Sequence, residues 1–166
     1  MEFKMGPLIA EMMKYERGAA GRINHFLKVY SYAKLIGEQE GLSREKQEIL
    51  EAAAIVHDCG IRPSLEKYQS SGGKFRELEG PPVARRLLEA LGFPEEAVRR
   101  ICFLVGRHHT YQGIEDDDYQ ILVEADFLVN LYEEKSGKEA VLKARKNIFR
   151  TKAGLQALND LFALPE

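Results

Sequence analysis

The sequence predicts an all-α fold, a compact helical bundle, on three observations. Apolar residues recur three and four positions apart in nearly every segment, strict alternation of apolar and polar residues never persists, and Gly, Pro and Ser fall where such runs begin and end. At 166 residues and 45% hydrophobic composition the chain can bury one sizeable core and is short for two. A single domain over residues 1–166 is therefore expected.

The elements follow in order. Pro7 suits a first helical turn, after which Leu8, Met12 and Tyr15 share a face until RGAAG interrupts at residues 17–21. A second helix, roughly Arg22 to Glu40, puts His25, Val29, Ala33 and Ile36 on one stripe and stops at Gly41. Ser43 is an N-cap for a third, whose Ile49, Ala53, Val56 and His57 share a face. The segment IRPSLEKYQSSGGKFRELEGPP has turn chemistry throughout, with one helical turn near Ser64 to Tyr68, and reads as the longest irregular stretch. Helix signals resume at Pro81-Pro82, stop at Gly92 and restart at Pro94, where Glu95 and Glu96 complement the helix dipole; that helix runs through Val105 to His108-His109. A strongly apolar helix aligns Leu122, Asp126 and Val129, and two more, around Lys138 to Phe149 and Thr151 to Phe162, close the chain.

Lys and Arg number 24 against 26 Asp and Glu, so the chain has no basic footprint for a phosphate backbone, and a nucleic acid polymer is not an expected partner. No stretch is apolar for long enough to cross a bilayer, and the first 21 residues lack the apolar core of a leader. A cytoplasmic protein without a membrane partner is expected; oligomeric state has no signal. Cys59 and Cys102 lie inside apolar helical patterns, where thiols pack as small hydrophobes.

The helical stripes carry the chemistry. They aim His25, His57 and Asp126 from three helices toward the shared core, and Asp58 points inward too, since Leu50 and Ala54 lie beneath it. Singly, each has an ordinary reading: a satisfied histidine, a common dipeptide, a partner for an arginine. Together, two carboxylates and two desolvated imidazoles would destabilise the core without a counter-ion, and a divalent cation resolves that cost. Such mixed ligands suit Fe, Mn, Co, Ni, Zn or Mg and leave coordination positions open for water or substrate.

This order, H…HD…D with each element on a helix, resembles the HD-domain metal-dependent phosphohydrolase superfamily over roughly Arg22 to Tyr132. The resemblance implies that His25, His57, Asp58 and Asp126 are metal ligands. Some members hold a second metal through two further histidines. Here LEGPPVA, residues 78–84, is similar to the HGPVGA segment of bacterial dinuclear members that hydrolyse dinucleoside tetraphosphates, with Glu79 in the place of the histidine. HHTYQG…LVEAD resembles their HTTG…ADY region, which favours His109 over His108 as the equivalent. Glu79, His109 and His108 are accordingly further candidate ligands, leaving room for a second ion.

The implied activity is hydrolysis of a small phosphate ester or anhydride, a nucleotide foremost, by metal-activated water, with Asp58 the catalytic residue that orients the water or takes its proton. Arg22, Arg62, Lys74 and Arg76 are candidate phosphate-binding groups, with Lys28, Lys67 and Arg107 weaker ones. Arg62 stands one residue beyond the position where related proteins carry a lysine after the HD pair. The glycines of SSGG, residues 70–73, suit the hinge of a lid over the site. Two other readings stay open: a dinuclear iron oxygenase of HD type, and a catalytically inert metal- or nucleotide-binding regulatory module.

Overall fold

The computed structural model describes residues 3–166, and within them the chain forms nine helices and no strand. These are α1 (Met5–Tyr15), α2 (Ala20–Gln39), α3 (Arg44–Val56), α4 (Ile61–Tyr68), α5 (Gly73–Ala90), α6 (Glu95–Val105), α7 (Asp117–Glu133), α8 (Lys138–Asn147) and α9 (Lys152–Phe162). The fold is all-α, as the apolar spacing indicates. Its boundaries follow local chemistry: Ser43 Oγ accepts from Lys46 N at 3.3 Å at the start of α3. Gly41 and Gly92 take the left-handed backbone, at φ +73° and +80°, just beyond α2 and α5. Pro7 lies in the first turn of α1, as its third residue.

Helix α3 is the centre of the bundle. Every residue from Leu50 to Val56 is buried, and α1, α2, α6 and α7 all pack on it. Ala52, Ala53 and Ala54 add little bulk, which lets these neighbours close on one turn of helix. No helix among the described residues is long and apolar enough to cross a membrane.

The segment expected to be irregular is not. Residues 61–82 form α4 and the first half of α5, with only Gln69 to Gly72 between them, and Pro81 and Pro82 sit inside α5. Proline at a helix start is the usual arrangement, but here burial of Gly80, Val83 and Ala84 against the core carries the helix through. Tyr68 stacks on Phe75 with ring centroids 4.3 Å apart, and Arg76 Nε donates to the Ser71 carbonyl. This is a packed helical hairpin, and the lid expected from SSGG is reduced to a four-residue turn.

Two glycines fix where that hairpin lies. A Cβ on Gly60 would stand 2.5 Å from the Arg76 carbonyl oxygen and 2.7 Å from Gly80 N, and one on Gly80 would stand 2.6 Å from Val105 Cγ1. The backbone of α5 thus rests directly on the turn that follows His57-Asp58, which brings Arg76 over Asp58. At the other side of α7, buried Glu124 accepts from Gln120 Nε2, Arg150 N, Thr151 N and Thr151 Oγ1, pinning the α8–α9 connection to the bundle.

Candidate metal centre

Four elements deliver the clustered histidines and aspartates of the core. His25 comes from the middle of α2, His57 and Asp58 from the end of α3 and the turn after it, Asp126 from α7, and His108 and His109 from the turn after α6. His25 Nε2 lies 3.2 Å from His57 Nε2, 3.1 Å from Asp126 Oδ1 and 3.3 Å from Asp58 Oδ2. His57 Nε2 is 3.3 Å from both Asp58 Oδ2 and Asp126 Oδ1. The other oxygen of Asp58 faces a second group: Oδ1 is 3.2 Å from His108 Nε2, 4.0 Å from His109 Nε2 and 3.4 Å from Arg76 Nη1.

The second nitrogen of each ring decides what the cluster can do. His57 Nδ1 donates to the Ala54 carbonyl at 2.6 Å and His108 Nδ1 to the Val105 carbonyl at 2.7 Å; a carbonyl only accepts, so these tautomers are fixed. His25 Nδ1 lies 2.7 Å from Glu133 Oε1, and an ionised carboxylate imposes the same choice. All three imidazoles therefore turn Nε2, the unprotonated atom in the neutral ring, toward carboxylate oxygens. With neutral rings, His25 Nε2, His57 Nε2, Asp58 Oδ2 and Asp126 Oδ1 meet as acceptors only, and either protons on the imidazoles or one metal cation satisfies these four.

The electrostatics agree. Burial works against charge on His25, but hydrogen bonds to Asp126 and Asp58 outweigh it and hold the ring up to about 9. His57 is likewise raised despite burial, by the charges and hydrogen bonds of Asp58 and Asp126. Burial pushes both carboxyls up, yet the imidazoles hold Asp58 and Asp126 well below the usual carboxylate range. The pocket binds positive charge, protons included. His109 goes the other way: burial and the neighbouring His108 lower it to about 4, so it stays neutral, and its buried Nε2 has no hydrogen-bond partner.

Among the described residues, two groups of side chains have ligand-type atoms within 4.8 Å of one another: His25, His57, Asp58 and Asp126, and Asp58 with His108 and His109. The donor set fits one divalent cation in the first group, with Asp58 shared between the two. Glu79 belongs to neither. Its carboxylate accepts from Lys67 Nζ at 2.7 Å and from the Tyr68 hydroxyl at 2.9 Å, on the side of α5 that faces α4. Of the adjacent histidines, His108 is the one fully buried and closer to Asp58, where similarity to the HTTG segment favoured His109.

An open cleft of about 200 Å³ leads down to His25 and Asp58, with Arg22, Arg76, Asn130 and Glu133 at its rim. Arg22 is held by Glu16 through Nε and Nη2, at 2.9 and 3.2 Å, and Arg76 by Asp58 and the Ser71 carbonyl. Arg62 and Lys74 do not line the cleft. Arg62 lies 3.7 Å from buried Glu16 and over the Tyr15 ring, while Lys74 points to solvent. Lys28 pairs with Glu133, Lys67 with Glu79, and Arg107 covers the Phe103 ring. A larger cavity of about 790 Å³ is lined by Phe3, Tyr30, Lys34 and Glu48 and contains no histidine.

Glu133 escaped the reading of the sequence. The signal was its place seven residues after Asp126, on the same face of α7. Glu77 did too: it accepts from His109 N and Thr110 Oγ1 and so anchors the turn that carries both late histidines.

A model of the HD-domain family matches residues 22–146 of this chain. No curated protein and no solved structure matches it.

Proposed function

This chain belongs to the HD-domain family, and we propose that it is a metal-dependent phosphohydrolase acting on a small phosphate ester or anhydride, a nucleotide foremost. The convergence of His25 Nε2, His57 Nε2, Asp58 Oδ2 and Asp126 Oδ1 on one point, where neutral rings leave only acceptors, supports the reading most strongly. These four side chains would hold the ion. Asp58, His108 and His109 would hold a second, with Asp58 between the two. A divalent cation there supplies Lewis acidity at phosphorus and makes water a nucleophile near neutral pH.

The remaining work falls to side chains of this chain. Asp58, whose oxygens face both clusters, orients the attacking water and accepts its proton. Arg76 and Arg22, at the rim of the cleft, receive the phosphoryl oxygens and keep the phosphorus in line with that water. Glu133, on the far nitrogen of His25, fixes which way the ring presents Nε2. We read the whole chain as one such domain, since α1 packs on α2, α3 and α5, and α9 on α2 and α7.

The test is metal analysis followed by turnover of nucleotides, sugar phosphates and dinucleoside polyphosphates with added Mn, Co, Fe or Mg. Phosphate or nucleotide release that needs the metal and is lost in Asp58→Ala supports the proposal. Protein that binds metal, releases nothing from any of them, and changes only in ligand affinity in Asp58→Ala is a binding module instead. Oxygen-dependent turnover with iron would indicate the oxygenase.

A further inference from the structure

The segment between α6 and α7 carries a part-exposed aromatic ring, linked through His109 to the Asp58 side of the site, that the chemistry above does not use. Tyr111 keeps 41% of its surface in solvent, yet its ring is held from two sides. Phe127 packs against it with centroids 5.2 Å apart and planes at 64°, and its hydroxyl lies 3.5 Å from His109 Nδ1. His109 in turn has its other nitrogen 4.0 Å from Asp58 Oδ1. One imidazole ring thus lies between the Tyr111 hydroxyl and the Asp58 carboxylate. Phe127 follows Asp126 directly in the chain and stands one turn before Asn130 of the cleft rim.

The turn before Tyr111 is also anchored. The Tyr119 hydroxyl donates to the carbonyls of Arg107 and Thr110, and Glu77 accepts from His109 N at 3.0 Å and from Thr110 Oγ1. A part-exposed tyrosine packed on Phe127 and His109, next to this anchored turn, loses less freedom on stacking than one on a free loop. Such a ring suits stacking of a base, since every base has a π face.

We infer that Tyr111, buttressed by Phe127, binds the base of a nucleoside phosphate by stacking, and so sets the preference of the site for nucleotides over phosphates of simple sugars and alcohols. The inference rests on the proposed phosphohydrolase reading for the position of the phosphate. Tyr111 is a specificity residue and takes no part in bond breaking.

Calorimetry on the manganese-loaded full chain tests it, with uncleavable 5′-phosphonate analogues of adenosine monophosphate and of ribose 5-phosphate as probes. The expected result is tighter binding of the adenosine analogue to the unmodified protein. Tyr111→Leu weakens that analogue about ten-fold and leaves the ribose analogue unchanged, whereas Tyr111→Phe keeps both affinities. Phe127→Leu, which frees the ring of Tyr111, produces a smaller loss for the adenosine analogue alone. Equal affinities for the two analogues in the unmodified protein, or equal losses for both in Tyr111→Leu, would overturn the inference. Turnover plays no part in this readout, so a protein that cleaves no phosphate ester yet shows the Tyr111-dependent preference keeps the base site and loses only the hydrolase reading.

Discussion

Glu133 Oε1 lies 2.7 Å from His25 Nδ1, and this contact ties the far end of α7 to the ring that α2 brings into the core. The same carboxylate accepts from Lys28 Nζ at 3.3 Å. A carboxylate on the outer nitrogen of a ligand imidazole fixes its tautomer and raises its basicity, and removing such a partner costs about 10- to 100-fold in metal affinity. Glu133→Ala should weaken manganese binding by that amount in a chelator competition, with the helical content unchanged. Glu133→Gln keeps an acceptor oxygen for the ring and should lose less than Glu133→Ala.

Metal binding must displace protons. With no cation present the hydrogen bonds to Asp126 and Asp58, working against burial, keep His25 protonated up to about 9, whereas a ligand imidazole has to be neutral. Because the shift is upward, affinity should rise with pH through neutrality and level off near pH 9. Calorimetry at pH 7 in buffers of different ionisation heat measures the protons released, and about one or more per ion is expected.

The sign of a common stabilising substitution should reverse at Gly154. Alanine in place of a helical glycine ordinarily gains about 0.5–1 kcal/mol. A Cβ at Gly154 would stand 1.8 Å from Glu124 Oε1, whose carboxylate is fully buried and held by four donors. Gly154→Ala should therefore destabilise the protein in urea unfolding. Glu124→Ala, which strands Arg150 N and Thr151 N as well, should cost about 3 kcal/mol.

Both thiols should be inert in the folded chain. Burial raises Cys59, whose Sγ donates to the Gly80 carbonyl at 3.2 Å, and burial also raises half-buried Cys102 beside the Pro81 carbonyl. Reaction with a thiol-specific disulfide reagent at pH 7.5 should be slow until denaturant is added, and then account for two thiols per chain.

The sequence made the centre of the bundle legible because helical periodicity says which residues face inward, and His25, His57, Asp58 and Asp126 all occupy such positions. What it could not give is the partner of each ring's second nitrogen, since Ala54 and Val105 contribute only backbone carbonyls and any residue would serve. Residues 61–82 misled for a different reason. Gly and Pro report local preference, while the helix through Pro81 and Pro82 is held by contacts that Gly60 and Gly80 permit between segments some twenty residues apart. Glu79 shows the same limit: its place beside GPP put it in line with a ligand, but Lys67 and Tyr68, one helix earlier, take its carboxylate.

Diffraction data from manganese-loaded crystals, collected to give the metal's anomalous signal, test the central claim most directly. The expected result is a peak between His25 Nε2, His57 Nε2, Asp58 Oδ2 and Asp126 Oδ1, with any second peak on the Asp58 Oδ1 side facing His108 and His109. A metal-loaded protein whose anomalous peaks lie only elsewhere, with the four side chains still bonded to one another, would contradict it.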